Sequence, residues 1–465
     1  MRLSTEATLF MAVPRHRLLR YNGTWLTYEP GGYYREIDEE LLRAEVRRAQ
    51  PDDCITKASA VNNALDEIKS ATVVDNHGAD VPMWLCDTPD TPRAADLVVC
   101  RNGILHPATA TLYQHSDELL TFNALPYDYD PNAPLPGRWM LFLSEVFGAD
   151  RESVDELQKL FGYLLTLDTS QQKVFAIIGP KRSGKGTIAR VLRALIGEAN
   201  CCAPSFNGLG GDFGLQPLIG KQLALIADAR LGYRTDKVLV AERLLSISGE
   251  DATDVARKRT TSWTGKLNTR LLILSNELPA LPDPSGALAS RFVAFETPNS
   301  FYGREDRHLT DKLLAELPGI LNWALEGLRR VQAGEAITTP ATARGLIDDI
   351  EKLGSPIKHF VADMCTVREG LHVPKDQLWA TYRGWHVANG LPGQPLSKEV
   401  FGRNLKTAFA GTVRDFRPRS DGDRPMCWSG ITLTAPLTNT PAANYGNYMN
   451  LQPPFGQGPV KGRSG

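Results

Sequence analysis

The strongest hydrophobic patterning lies in the middle of the chain. Lys173-Val174-Phe175-Ala176-Ile177-Ile178 is a short unbroken apolar run with β-branched residues, the pattern of a parallel strand buried on both faces. After a glycine-rich stretch, Ile188, Val191, Leu192 and Leu195 recur at helical spacing and predict an amphipathic helix closed by Gly197. Leu223 to Ala227, Leu271 to Ser275 and Phe292 to Phe295 predict three further strands. Upstream, Val154, Leu157, Phe161 and Leu164 predict a helix with Gly162 tolerated inside it. Ile37 to Gln50 predicts a charged amphipathic helix with Leu41, Leu42 and Val46 on one face, and the aromatic runs Tyr21 to Tyr28 and Gly31 to Ile37 read as strands. Towards the C-terminus, Ser397 reads as the cap of a helix in which Phe401, Leu405 and Phe409 repeat every four residues, with Lys398, Arg403 and Lys406 on other faces. Arg414, Arg417 and Arg419 then lead to a strand at Met426 to Leu433.

These patterns divide the chain. Tyr127 to Gly137 is a proline-laden connector, so a mixed α+β domain is expected over 1–140 and an α/β core with a helical collar over 141–335. A small helical domain with closing strands follows over 350–434. Its basic helix and arginine-rich turn fit a winged-helix DNA-binding module, or an ordinary helical cap with solvated cations. Residues 435–465, rich in Pro, Gly, Asn and Gln, read as a disordered tail. The acids Asp128 and Asp130 fall in the connector, where a solvated turn is the favoured reading over a metal pair.

Composition narrows the function classes. No run approaches the ~18 consecutive apolar residues of a membrane span, and Thr8 to Val13 is too short for a signal peptide, so a cytoplasmic protein is expected. Seven cysteines include no C-x-x-C pair, and the eight histidines lack metal-like spacing, so neither a zinc site nor a disulfide framework is expected. With 52 basic and 53 acidic residues, a wholesale nucleic-acid coating is excluded, but a local basic channel is not.

The candidate chemistry begins where the first buried strand ends. Gly179-Pro180-Lys181-Arg182-Ser183-Gly184-Lys185-Gly186-Thr187 sits between strand and helix, the context a phosphate-binding P-loop demands. Its glycines let backbone N–H groups turn toward phosphates, the helix terminus adds its dipole, and Lys185 would neutralise the distal phosphates of ATP. Gly186 stands where a hydroxyl normally touches Mg²⁺, with Thr187 one step later. Thr187 is therefore a candidate metal ligand or a donor to the α phosphate. The Lys185-Gly186-Thr187 ending also resembles that of nucleoside monophosphate kinases.

Asp228, at the tip of the second strand, is the candidate Mg²⁺ ligand; Ala229 follows where ATPases often carry the water-activating acid. Glu242, Glu250 and Asp251 are the nearby substitutes for that base. Asn276, at the tip of the third strand, can orient the attacking water or contact the γ phosphate, unless it only initiates a turn. Arg257-Lys258-Arg259 reads as a hairpin tip that holds nucleic-acid phosphates, or as a solvated charge run. Arg291, before the fourth strand, is an ion-pair partner at the core edge or a finger for a neighbouring subunit's γ phosphate.

In this order the elements resemble the superfamily 3 helicases of the phage and plasmid primase–helicase group, over roughly residues 20 to 330. Gly179 to Thr187 is similar to that family's Walker A motif and Asp228 to its Walker B. Gly249 to Lys258 resembles the intervening motif, Leu271 to Asn276 the sensor motif, and Arg291 the arginine finger. Gly186 and Ala229 depart from the pattern. The resemblance implies an AAA+-like parallel-sheet ATPase preceded by a helicase-associated domain, using ATP and Mg²⁺. It also implies a homo-oligomeric ring, usually a hexamer, around one DNA strand, with the 257–259 hairpin in the pore. The activity implied is ATP-dependent unwinding of duplex DNA and translocation on single-stranded DNA, in replication of a phage or mobile element within a bacterial cytoplasm. No polymerase-like primase segment is evident, so a separate primase is a possible partner. Two rivals stay open: a nucleotide phosphotransferase, and an ATP-switched DNA-binding initiator with weak turnover.

Overall fold

The computed structural model describes residues 17–48, 58–74, 81–86, 91–227, 235–258, 262–283, 285–391, 394–417 and 425–434. The chain falls into two units that divide between His359 and Phe360. The tail expected over 435–465 lies outside the described residues.

The first unit opens with a hairpin. Asn22 and Gly23 both adopt positive φ, 46° and 75°, the two left-handed positions that join twisted antiparallel strands. The aromatic run expected as one strand is therefore broken. β1 (Leu18–Tyr21) ends before this turn, β2 (Thr24–Glu29) begins after it, and β3 (Tyr33–Glu36) completes the sheet. Helices α1 (Glu39–Arg48) and α2 (Ala58–Thr72) bury Leu42, Val46, Val61 and Ile68 against Leu18 and Trp25, whereas Leu41 stays 56% exposed. Next come β4 (Met83–Trp84), the antiparallel sheet of β5 (Val98–Cys100), β6 (Gly103–His106) and β7 (Thr111–Tyr113), and β8 (Leu119–Leu120), which returns to pair with β4. In the connector, Asp128 pairs with Arg101 at 2.8 Å and Asp130 accepts from the Asn132 N–H at 2.9 Å, so both acids are turn residues.

A collar of two helices, α3 (Gly137–Phe147) and α4 (Arg151–Tyr163), leads into the core. There follow β9 (Val174–Ile178), α5 (Lys185–Ile196), β10 (Cys201–Cys202), α6 (Phe206–Leu209), β11 (Leu223–Ala227) and α7 (Lys237–Ser248). A separate antiparallel hairpin, β12 (Ala252–Val255) and β13 (Trp263–Lys266), precedes β14 (Arg270–Ser275), α8 (Ala287–Arg291) and β15 (Phe292–Glu296). Helices α9 (Leu309–Leu314), α10 (Leu317–Gln332) and α11 (Arg344–Gly354) close the unit. The five-stranded sheet is parallel throughout, in the order β10-β11-β14-β9-β15.

Burial explains the apolar run in β9. Phe175 and Ile177 face a core built with Ile188, Val191 and Leu192 of α5, and Val174, Ala176 and Ile178 face another built with Val240 and Leu244 of α7. With both faces covered, no polar alternation is possible. The collar joins the first of these cores where α4 crosses α10. A Cβ on Gly162 would lie 2.3 Å from the Ala324 carbonyl oxygen, and one on Gly327 would lie 2.2 Å from that of Gln158. Gly162 is thus required by a close helix crossing, not merely tolerated. Trp139, Phe161 and Trp323 pack around this crossing with ring centroids 5.4–5.7 Å apart.

The second unit contains the end of α12 (Pro356–Met364), β16 (Cys365–Pro374), α13 (Lys375–Ala388), α14 (Lys398–Ala408), β17 (Arg414–Phe416) and β18 (Cys427–Leu433). Its antiparallel sheet runs β16-β18-β17. Ser397 caps α14 by accepting from the Val400 N–H, as the sequence predicts. Phe360, Tyr382, Trp385 and Phe401 form the aromatic centre. Arg419 lies outside the described residues. No described helix is long and apolar enough to cross a membrane.

Candidate active site

The loop between β9 and α5 is shaped by backbone demands. A Cβ on Gly179 would lie 2.2 Å from Thr297 Oγ1, because β15 ends alongside. Arg182 (φ 60°) and Gly184 (φ 94°) both take left-handed conformations, which turn successive N–H groups inward and make a concavity suited to anions. The loop's outer side is held in place. Ser183 Oγ bonds Thr297 Oγ1 at 2.7 Å, Ser300 Oγ donates to the Lys181 carbonyl at 2.8 Å, and the Phe301 N–H donates to the Arg182 carbonyl at 2.9 Å.

Lys185 opens α5 and is only 9% exposed. Its Nζ donates to the carbonyls of Gly179 (2.6 Å) and Pro180 (2.7 Å), lies 3.1 Å from Ser183 Oγ, and reaches Asn276 Oδ1 at 3.2 Å. Burial pushes its pKa down from the usual lysine value. An ammonium held by dipoles, with no carboxylate beside it among the described residues, is poised to gain from an anionic partner. Asn276 arrives by register: Ser275 pairs with Ile178, so the next residue on β14 stands level with the loop entry. Lys185 and Asn276 are brought together as the sequence reading requires.

Other expected residues lie elsewhere. Thr187 Oγ1 accepts from Arg190 Nη2 at 3.1 Å. Asp228, and Ala229 after it, lie outside the described residues; β11, which leads to them, ends at Ala227 opposite Leu274. Arg291 stands at the far end of the sheet, because its neighbour Phe292 pairs with Val174, the first residue of β9. The length of β9, at about 3.3 Å per residue, separates it from the loop by roughly 15 Å. Its Nη1 donates to Ser248 Oγ at 3.4 Å, and it has no carboxylate partner among the described residues.

Glu250 is at this far end too. It accepts from Lys266 (2.7 Å), Gln172 (3.1 Å) and Thr169. Those three hydrogen bonds outweigh desolvation and hold its pKa down to about 2. So strongly stabilised an anion, a strand length from the loop, anchors the hairpin base rather than activating water.

The strands β12 and β13 that flank the expected 257–259 tip pair as a hairpin, with Val255 opposite Trp263. Arg257 pairs with Glu36 of β3 at 3.2 Å. Lys258 Nζ sits 5.5 Å from the centroid of the Phe213 ring, and Arg259 lies outside the described residues. The hairpin walls a cleft of about 980 Å³ shared with the β1–β3 sheet. In the second unit, Lys375, Lys398, Arg403 and Lys406 line a groove of about 670 Å³ around Trp428. Lys375 and Lys406 both pair with Asp415 and lie 4.1 Å and 5.5 Å from the Trp428 ring. Among the described residues no group of three or more His, Cys, Asp or Glu forms a metal cluster.

Similarity to known proteins accords with this layout. Residues 6–148 match a family described as D5 N terminal like, and residues 355–437 match one described as Poxvirus D5 protein-like. Residues 177–291 match a family of unknown function (DUF5906). The N-terminal and C-terminal stretches are thus similar to parts of D5-type proteins. No protein of curated function matches the chain. Two solved apo structures of the NrS-1 C terminal region share the fold, with TM-scores of 0.54 and 0.55 at 13% identity. They cover 91% and 93% of this chain and 98% and 100% of their own.

Sequence reasoning missed Thr297, Arg190 and Thr310, and named Glu250 only as a candidate base. Each is tied to the site or the hairpin by contacts between residues distant in sequence or by a helical turn whose purpose the pattern does not reveal.

Proposed function

We propose that this chain is a superfamily 3 ATP-dependent DNA helicase that acts as a ring, a hexamer by family resemblance. The observation that carries the reading is the placement of Lys185 and Asn276 together at one end of the sheet, with Arg291 a strand length away at the other. Lys185 would exchange its carbonyl partners for the distal phosphate oxygens of ATP, and Asn276 would orient the attacking water. Arg291 cannot reach a nucleotide on its own loop, so it serves the loop of a neighbouring protomer.

Mg²⁺, when bound, spreads and neutralises phosphate charge, and Asp228 is the residue assigned to hold it. The 257–259 hairpin would contact the backbone of single-stranded DNA once Arg257 leaves Glu36. The second unit has the element order of a winged helix, and α14 would present Lys398, Arg403 and Lys406 to duplex DNA. A separate primase is the natural partner for a chain working in replication.

The test is ATP turnover with and without single-stranded DNA for wild type, Lys185→Ala, Arg291→Ala and an equal mixture of the two variants. DNA stimulation, two inactive variants and partial recovery in the mixture support the ring motor. Turnover indifferent to DNA and to Arg291→Ala would sink it, and would favour phosphoryl transfer to a small nucleotide acceptor.

A further inference from the structure

Resting on the nucleotide reading above, we infer that Arg190 and Thr187 form a clip for the α phosphate, and that Thr187 is not a Mg²⁺ ligand. Thr187 lies in the first turn of α5, two residues beyond Lys185, and Arg190 follows one turn later on the same face. A triphosphate whose distal groups meet Lys185 and the loop N–H groups has its remaining phosphate at this first turn.

The guanidinium is placed for that phosphate. Arg190 Nη2 donates to Thr187 Oγ1 at 3.1 Å, and its Nε donates to Thr310 Oγ1 at 3.2 Å. Thr310 belongs to α9, so the arginine is fixed from two elements rather than waving from one. Nη1 is left over. It lies 4.0 Å from the point a Cβ on Gly186 would occupy, and beyond the glycine's chain neighbours and its own helix backbone nothing else lies within 4 Å of that point. The glycine that replaces the usual hydroxyl therefore leaves open space beside a guanidinium.

Charge and hydrogen-bond accounting agree. Arg190 has no carboxylate partner among the described residues and is bound only by two hydroxyls, so its charge is uncompensated and its planar fork is available to phosphate oxygens. Thr187 Oγ accepts from that cation, which leaves the hydroxyl proton free to donate to a phosphate oxygen. A divalent cation on the same oxygen would face the guanidinium at close range, a like-charge contact the site does not offset. The pair is built to meet an anion.

The experiment measures equilibrium binding of ATP, and of the Rp and Sp α-thio analogues of ATP, to the full chain, in excess EDTA and in Mg²⁺. Arg190→Ala is expected to weaken ATP binding about tenfold or more in both conditions, the loss typical of a charge-assisted contact. It should also remove any difference between the two α-thio diastereomers seen with wild type. Arg190→Lys should recover part of the affinity. Thr187→Val should weaken binding equally with and without Mg²⁺, and thermal melts would show that the variants fold. Wild-type affinity in Arg190→Ala overturns the clip, as does a Thr187→Val defect that appears only with Mg²⁺. Absence of ATP binding by folded wild type would overturn the nucleotide reading itself, and this inference with it.

Discussion

Asn276 Oδ1 lies 3.2 Å from Lys185 Nζ, so the tips of two adjacent strands meet over one ammonium group. Neither residue lies near the other in sequence; the parallel register of β14 on β9 makes the pair. In the proposed ATPase reading, nucleotide entry would loosen this contact as Lys185 turned to phosphate, and the Asn276 amide would then be free to hold water. Asn276→Ala should lower kcat by roughly 10- to 100-fold with a small change in KM, as for other groups that orient or stabilise in the transition state. Steady-state ATPase kinetics check it. A rise in KM at unchanged kcat would make Asn276 a ground-state binding residue.

The α4–α10 crossing leaves no room at Gly162. Gly162→Ala forces a methyl against the Ala324 carbonyl and the Leu328 backbone, so a loss of about 1–3 kcal/mol is expected from overpacking. By contrast, Gly186→Ala meets open space and should leave folding stability nearly unchanged. Urea denaturation of both variants separates the two cases.

Glu250 gives the acid limb a defined contribution. Its carboxyl titrates near 2 in the folded chain against 4.5 as an ordinary glutamate, so the unfolded state takes up a proton first as the pH falls. The stabilisation is present above about 4.5 and is lost progressively between there and about 2. Glu250→Gln should flatten that part of the stability–pH curve and lower neutral-pH stability by roughly 1 kcal/mol, since the anion is partly solvated. Thermal melts from pH 7 to pH 3 measure it; parallel curves for the two proteins would contradict the assignment.

In the second unit, Arg403 stands in the groove with no carboxylate partner among the described residues. Arg403→Ala should weaken duplex binding alike across unrelated sequences. Its plot of log affinity against log salt should lose about one unit of slope, as for a single lost phosphate contact. Fluorescence anisotropy at several salt concentrations tests this, with Lys69→Ala on α2 of the first unit as a control.

How much of this was legible depends on whether the cause is local. The buried strands could be read because a strand covered on both faces must be apolar at every position, as Val174 to Ile178 are. The loop could be read because its glycines answer to backbone geometry, and Ser397 because capping involves only its own helix. The β1–β2 hairpin was written in Asn22-Gly23 but hidden inside an aromatic run that looked continuous. The two-residue β10 is too short to carry a period. Gly162 shows its purpose only once α10 is folded against it, and Arg190 only once Thr310, 120 residues later, arrives beside it.

The separation of Lys185 from Arg291 along β9 has a consequence for how turnover scales with the amount of protein. In the ring reading, each protomer carries half of two different sites and the whole of none. Dilution that disperses the ring therefore leaves nucleotide affinity in place and silences hydrolysis. Specific activity should climb steeply with chain concentration, so in that reading assembly itself would switch ATP consumption on.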